Sequence, residues 1–217
     1  MAQTPKLVSR DTTRPEFWDE RFVAGLTPWD QGGVSDDLRR YFATLVPDFG
    51  KQCLIPGCGN AYELAYLAEA GWDVVAIDFA PAAVSSAQLA HPRFAERIVL
   101  ADFFSYAPAR PLQCIVERAF LCALPPSMRS LVVARWAELL PAGALLLGYF
   151  FVLDSVADSA LESAGATDKI SGPPFGITGR QLTALLSPYF ECIEDIPVAD
   201  SIAVFENRER WQVWRKI

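Results

Sequence analysis

The chain of 217 residues is 52% hydrophobic and 21% charged, so it can bury a large core and does not read as disordered. Its formal net charge of −7, with no run of Lys or Arg, disfavours nucleic acid as a partner, because an acidic surface repels phosphate. The longest apolar run, Ala142 to Leu153, is too short to cross a bilayer as a helix, and Met1 to Arg14 carries no signal-like apolar stretch.

Pro15 opens a short helix over Glu16 to Gly25, followed by a loop from Thr27 to Gly33. Ser35 caps a helix from Asp36 to Val46. Gln52 to Ile55 is then a short buried strand, Pro56 to Asn60 a tight turn, and Ala61 to Ala70 a helix stopped by Gly71. Trp72 to Ile77 is a second strand ending at Asp78, and Pro81 to Leu89 a helix with proline in its first turn. Arg97 to Leu100, running on to Asp102, is a third strand and Leu112 to Glu117 a fourth. Pro126 to Leu139 is a helix and Gly143 to Val152 a fifth strand. Thr178 caps a helix to Leu186, and Phe190 to Val198 and Ser201 to Trp214 form a closing hairpin. Strands alternating with helices predict an α/β, Rossmann-like fold: a mostly parallel sheet with helices on both faces and an antiparallel C-terminal edge, in a single domain.

The chemistry concentrates after the first two strands. Gly57-Cys58-Gly59 sits between a strand and a helix, where glycine lets backbone N–H groups approach a ligand and the helix N-terminus favours an anionic group. Asp78 follows about 20 residues later at the next strand end, where a carboxylate can accept from both ribose hydroxyls; Phe79 stands beside it. A dinucleotide fingerprint places a third glycine three residues after the second, and Tyr62 stands there instead, which suits a single adenosine such as that of S-adenosylmethionine better. Asp102, followed by Phe103 and Phe104, can meet an adenine amino group and pack on its ring, or can simply cap a turn. The five cysteines, none in a CxxC pair, read as free thiols of a reducing, cytoplasmic protein. Cys58 packs as a small apolar residue or lies against the cofactor. The one histidine, His91, reads as a surface or capping residue, and no metal site is expected.

Taken in order, Phe17-Trp18-Asp19-Glu20-Arg21-Phe22, Thr27-Pro28-Trp29-Asp30-Gln31-Gly32, Ile55-Pro56-Gly57-Cys58-Gly59 and Gly172-Pro173-Pro174-Phe175 resemble the thiopurine S-methyltransferase superfamily, which includes thiol and halide methyltransferases. The resemblance implies a seven-stranded class I methyltransferase fold using S-adenosylmethionine, with residues 1–46 as a helical lid over the cofactor. It implies that Trp18, Phe22 and Trp29 meet the sulfonium end, where relatives often carry tryptophan in place of Phe22. Gly57, Cys58, Gly59, Asp78, Phe79, Asp102, Phe103 and Glu117 would bind the cofactor. Glu117-Arg118-Ala119-Phe120 would lie beside the methyl group, with Arg118 and Phe120 facing the acceptor. Tyr149, Phe151 and Asp154, at the end of the fifth strand, and Phe175, in a proline-rich wall, would line the acceptor pocket. The Thr27–Gly32 loop resembles the thiol/halide branch and Arg118 the thiopurine branch, so a thiol, a thiopurine-like sulfur and a halide-type anion all stay open. A nicotinamide-dependent oxidoreductase and a non-catalytic binder of the same fold are the alternatives. No heptad pattern marks a dimer, and a monomer is expected.

Overall fold

The computed structural model describes residues 7–153 and 172–217. Seven strands form one sheet: β1 (Gln52–Pro56), β2 (Val74–Asp78), β3 (Ile98–Leu100), β4 (Leu112–Arg118), β5 (Leu145–Phe151), β6 (Phe190–Pro197) and β7 (Glu209–Lys216). Their order is β3-β2-β1-β4-β5-β7-β6. The first five pair in parallel, while β7 runs antiparallel to both β5 and β6. The antiparallel edge is therefore a hairpin whose second strand inserts next to β5, leaving β6 outermost.

The helices are α1 (Pro15–Val23), α2 (Asp36–Phe42), α3 (Tyr62–Glu69), α4 (Pro81–Ala90), α5 (Arg129–Leu139) and α6 (Gly179–Leu186). Side chains on a strand alternate between faces, and both faces of this sheet are covered. Cys53 and Ile55 of β1 join Leu38, Leu64, Leu67 and Val84 of α2, α3 and α4 on one side. Leu54 joins Val132, Val133 and Trp136 of α5 and Leu182 and Leu186 of α6 on the other. All five residues of β1 are buried, which is why the strand reads as apolar from Cys53 to Pro56. Among the described residues no helix is long and apolar enough to cross a membrane.

Several boundaries differ from the sequence reading. The second helix stops at Phe42 rather than Val46: the Thr44 hydroxyl donates to the Tyr41 carbonyl (2.7 Å), and Pro47 disfavours helix at the residue before it. The stretch before β3 is a 3-10 turn over Pro92–Arg97, and Pro126–Met128 is likewise 3-10 before α5 begins. The last strand starts at Glu209, not Ser201. Phe205 is apolar because it is tucked into the core, and Asn207 at φ 60° turns the chain. Asp154 lies outside the described residues.

Trp136 is fully buried at the centre of the α5 face and touches Phe150 edge-on (6.4 Å between ring centroids). Trp136→Ala should destabilise the fold by about 3–5 kcal/mol, read as a lower urea midpoint with the slope unchanged.

Candidate active site

The C-terminal ends of β1, β2 and β4 open into one cleft of about 1180 Å3. Of the residues expected at the site, Trp18, Phe22, Trp29, Gly57, Gly59, Asp78, Phe79, Asp102, Phe103, Arg118 and Phe120 line it; Cys58, Glu117, Tyr149, Phe151 and Phe175 do not.

The turn after β1 is built around missing side chains. Gly57 has φ +59°, and a Cβ there would come within 2.6 Å of the Phe120 ring. Glycine alone fits both the backbone angle and the contact. The Asp78 carboxylate fixes the turn from the neighbouring strand: Gly59 N–H donates to Oδ2 (3.1 Å) and Ala80 N–H to Oδ1 (3.0 Å). Burial raises the Asp78 pKa to about 6, with the amides of Ala80, Gly59 and Phe79 opposing the shift. Cys58, expected at the cofactor, does not line the cleft. Its N–H donates to the Ile77 carbonyl (3.1 Å), and its thiol packs into the core beneath the turn, where burial pushes its pKa up. Tyr62, in the third-glycine position, donates its hydroxyl to Asp30 (3.5 Å). Asp102 is exposed at the cleft and accepts from Phe104 N–H (2.9 Å), capping its own turn; Phe103 stacks edge-on to Phe120 (5.1 Å).

The N-terminal residues form the cover. Trp29 meets Trp18 and Phe22 edge-on, at 5.4 and 6.1 Å between centroids. Three side chains absent from the expected site pin the cover to the sheet domain. Asp19 accepts from Ala82 N–H in the first turn of α4 (2.7 Å), a favourable place for a carboxylate. Asp30 accepts from the Asn60 amide just past the glycine turn. Gln31 accepts from Arg118 and donates to the Asp200 carbonyl (3.2 Å). All three lie within the two N-terminal motifs, but nothing local in the sequence says which element they reach.

At the end of β4, Glu117 turns inward. Its Oε1 accepts from Phe120 and Leu121 N–H (2.9 and 2.8 Å), and Oε2 has no partner among the described residues. Burial raises its pKa to about 8, against those two amides. Glu117 therefore braces the loop that carries Phe120 and does not line the cleft. Gly148 of β5 lets that strand end approach: a Cβ there would strike the Glu117 carbonyl at 1.8 Å. Arg118 lines the cleft and forms a buried ion pair with Glu209 of β7. Tyr149 does not line the cleft; it is buried, and its hydroxyl accepts from Leu38 N–H (3.1 Å). Phe151 packs against Phe205 (5.8 Å between centroids). Phe175 folds back over Gly172, so Pro173 and Pro174 form the wall instead. His91 is a capping residue as expected, its Nε2 lying 3.0 Å from the Asn60 carbonyl.

The comparisons with known proteins agree with this geometry. The sequence profile of the thiopurine S-methyltransferase family matches residues 13–216. A probable thiol methyltransferase 2 of Arabidopsis thaliana is 26% identical, over 92% of this chain and 84% of its own. A thiopurine S-methyltransferase of Shewanella loihica is 28% identical over 88% and 89%. Among solved structures, a Burkholderia thailandensis N1-methyltransferase with bound S-adenosylhomocysteine superposes with a TM-score of 0.66 at 18% identity, covering 93% of this chain and 86% of its own. The chain is thus a class I, S-adenosylmethionine-dependent methyltransferase that belongs to the thiopurine S-methyltransferase family.

Proposed function

We propose that the acceptor is the sulfur of a small thiol, held between Arg118 and the cover at one end of the cleft while S-adenosylmethionine occupies the glycine turn at the other. The observation that carries this reading is the continuity of the cleft. One cavity joins Gly57, Gly59 and Asp78 to an apolar end walled by Cys122, Leu124, Met128, Pro173 and Phe205. The residues present fit the donor: the Cβ-free position at Gly57, a strand-end carboxylate at Asp78, and Asp102 with Phe103 for the base.

When bound, S-adenosylmethionine supplies an electrophilic methyl group on a sulfonium. The chain's own contribution is to align and enclose. Positioning of this kind lowers a barrier by up to about 7–11 kcal/mol. The Trp18, Phe22 and Trp29 rings stabilise a cation by roughly 0.5–2 kcal/mol each where a ring faces it, and they exclude water. The new bond forms between acceptor sulfur and methyl, the donor's carbon–sulfur pair returns to the donor sulfur, and the thiol proton passes to solvent. A thiol of pKa about 8.5 ionises enough near neutrality to need no histidine base, and among the described residues none lines the cleft. The five free thiols support a reducing, cytoplasmic setting. The lack of a heptad pattern supports a monomer, and the net charge of −7 supports a small-molecule acceptor over nucleic acid.

Isothermal titration should show S-adenosylmethionine binding at micromolar affinity, and a panel of thiols should release S-adenosylhomocysteine faster than iodide does. No binding heat, or turnover confined to non-sulfur acceptors, would refute the reading. Asp78 carries a pH signature as well. Its carboxylate is ionised above about pH 6 and protonated below it, and only the ionised form offers all its lone pairs to ribose. S-adenosylhomocysteine affinity should therefore fall as pH drops from 7.5 to 5. Asp78→Asn should weaken binding by about tenfold or more at pH 7.5, the scale of one charged hydrogen bond, and should flatten that pH dependence.

A further inference from the structure

We propose that Glu209 sets the charge preference of the acceptor pocket: by neutralising Arg118 it selects uncharged thiols over anionic acceptors. This rests on the S-methylation reading above and names its substrate class.

Arg118 lines the cleft at the post-β4 end. Its side chain is 13% exposed and that of Glu209 3%, so the pair is largely withdrawn from solvent screening. One guanidinium nitrogen donates to Glu209 Oε1 and the other terminal nitrogen to Gln31. The second Glu209 oxygen accepts from Ser201 Oγ (2.7 Å), so both carboxylate oxygens are committed. The guanidinium also lies over the Tyr149 ring, 4.5 Å from its centroid. Two further carboxyls stand near it. Glu63 is buried; burial raises its pKa while Arg118 lowers it. Glu117 sits next in sequence, its pKa likewise raised. Arg118 is thus matched by the Glu209 carboxylate, with Glu63 and Glu117, both shifted up by burial, close by. The other cations lining the cleft, Arg10 and Arg21, come from the N-terminal segment and α1, and Arg21 donates to the Phe17 carbonyl (2.6 Å) over the Phe17 ring.

A desolvated arginine without a partner would draw an anion into the pocket. Paired with Glu209, it presents bond dipoles but no net charge, and the described walls beside it, Leu124, Met128, Pro173 and Phe205, are apolar and solvate poorly an anion that sheds its water. An uncharged thiol loses little on entering. Glu209 does not line the cleft, so its effect on the acceptor passes through Arg118, and it is a positioning residue.

The test compares phenylmethanethiol, whose thiol is un-ionised near neutrality, with the three (mercaptomethyl)benzoates, which add a carboxylate to the same ring. Wild type should favour phenylmethanethiol in kcat/KM. Glu209→Gln should shift that ratio toward the (mercaptomethyl)benzoates by about tenfold or more, through KM rather than kcat. Calorimetry on the S-adenosylhomocysteine-loaded protein should show (mercaptomethyl)benzoate binding gained in the variant. Arg118→Gln with Glu209→Gln, which deletes both charges, should restore the preference for phenylmethanethiol; a merely structural role for Glu209 does not generate that reversal. If the single variant fails to fold, the double variant and wild type decide: indifference to the carboxylate in either overturns the proposal. So does an unchanged ratio in a folded Glu209→Gln. Wild type that binds S-adenosylhomocysteine yet methylates no thiol would instead remove the S-methylation reading beneath it.

Discussion

The site depends on one close approach. The backbone at Gly57 runs against the Phe120 ring with no room for a Cβ, and Asp78 holds the next amide of the turn from the adjacent strand. This contact joins three strand ends: β1 supplies the turn, β2 the carboxylate, and β4 the loop that presents Phe120. Glu117, buried behind that loop, holds the Phe120 amide, so the ring's position is fixed by a carboxyl that never reaches the cleft. The parallel pairing of β1 with both β2 and β4 brings these ends together, and the buried faces of the sheet make the register hard to slip.

The cover is attached differently. Its aromatic rings pack on one another and Trp29 rests against Cys122, Phe151, Leu153 and Phe205, while polar ties reach the sheet domain at three points: Asp19 to the start of α4, Asp30 to Asn60, and Gln31 to Arg118. Bonds of this kind can be exchanged for water at modest cost. Gln31 links two sides of the cleft, since the loop that carries Trp29 also contacts Arg118 at the end of β4.

Much of this was readable from residue order because the decisive features are local. A strand, a Gly-x-Gly turn, a helix and a strand-end acid occupy adjacent stretches of chain, and each leaves its mark within a few residues. The misreadings arise where a side chain's direction or partner is set by distant pairing. Tyr149 was assigned to the pocket by its place at a strand end. Alternation along β5 instead puts it on the face covered by α2, opposite to Phe150. Cys58 was counted by its place in the turn, but its N–H is taken by Ile77 and its thiol faces inward. Glu209 went unnoticed because its partner Arg118 lies 91 residues away and meets it only through the antiparallel insertion of β7. The apolar stretch from Ile202 to Phe205 read as strand, whereas its apolar character serves a buried loop.

The claim that a Cβ-free turn is what admits the donor is tested most directly by Gly57→Ala. The added methyl must displace Phe120 and strain a backbone at positive φ, a cost of ~1–3 kcal/mol from the angle alone. Titration of the purified, folded variant with S-adenosylhomocysteine should therefore show binding weakened by about tenfold or abolished. Wild-type affinity in a variant with an intact far-ultraviolet spectrum would mean that the donor is held elsewhere.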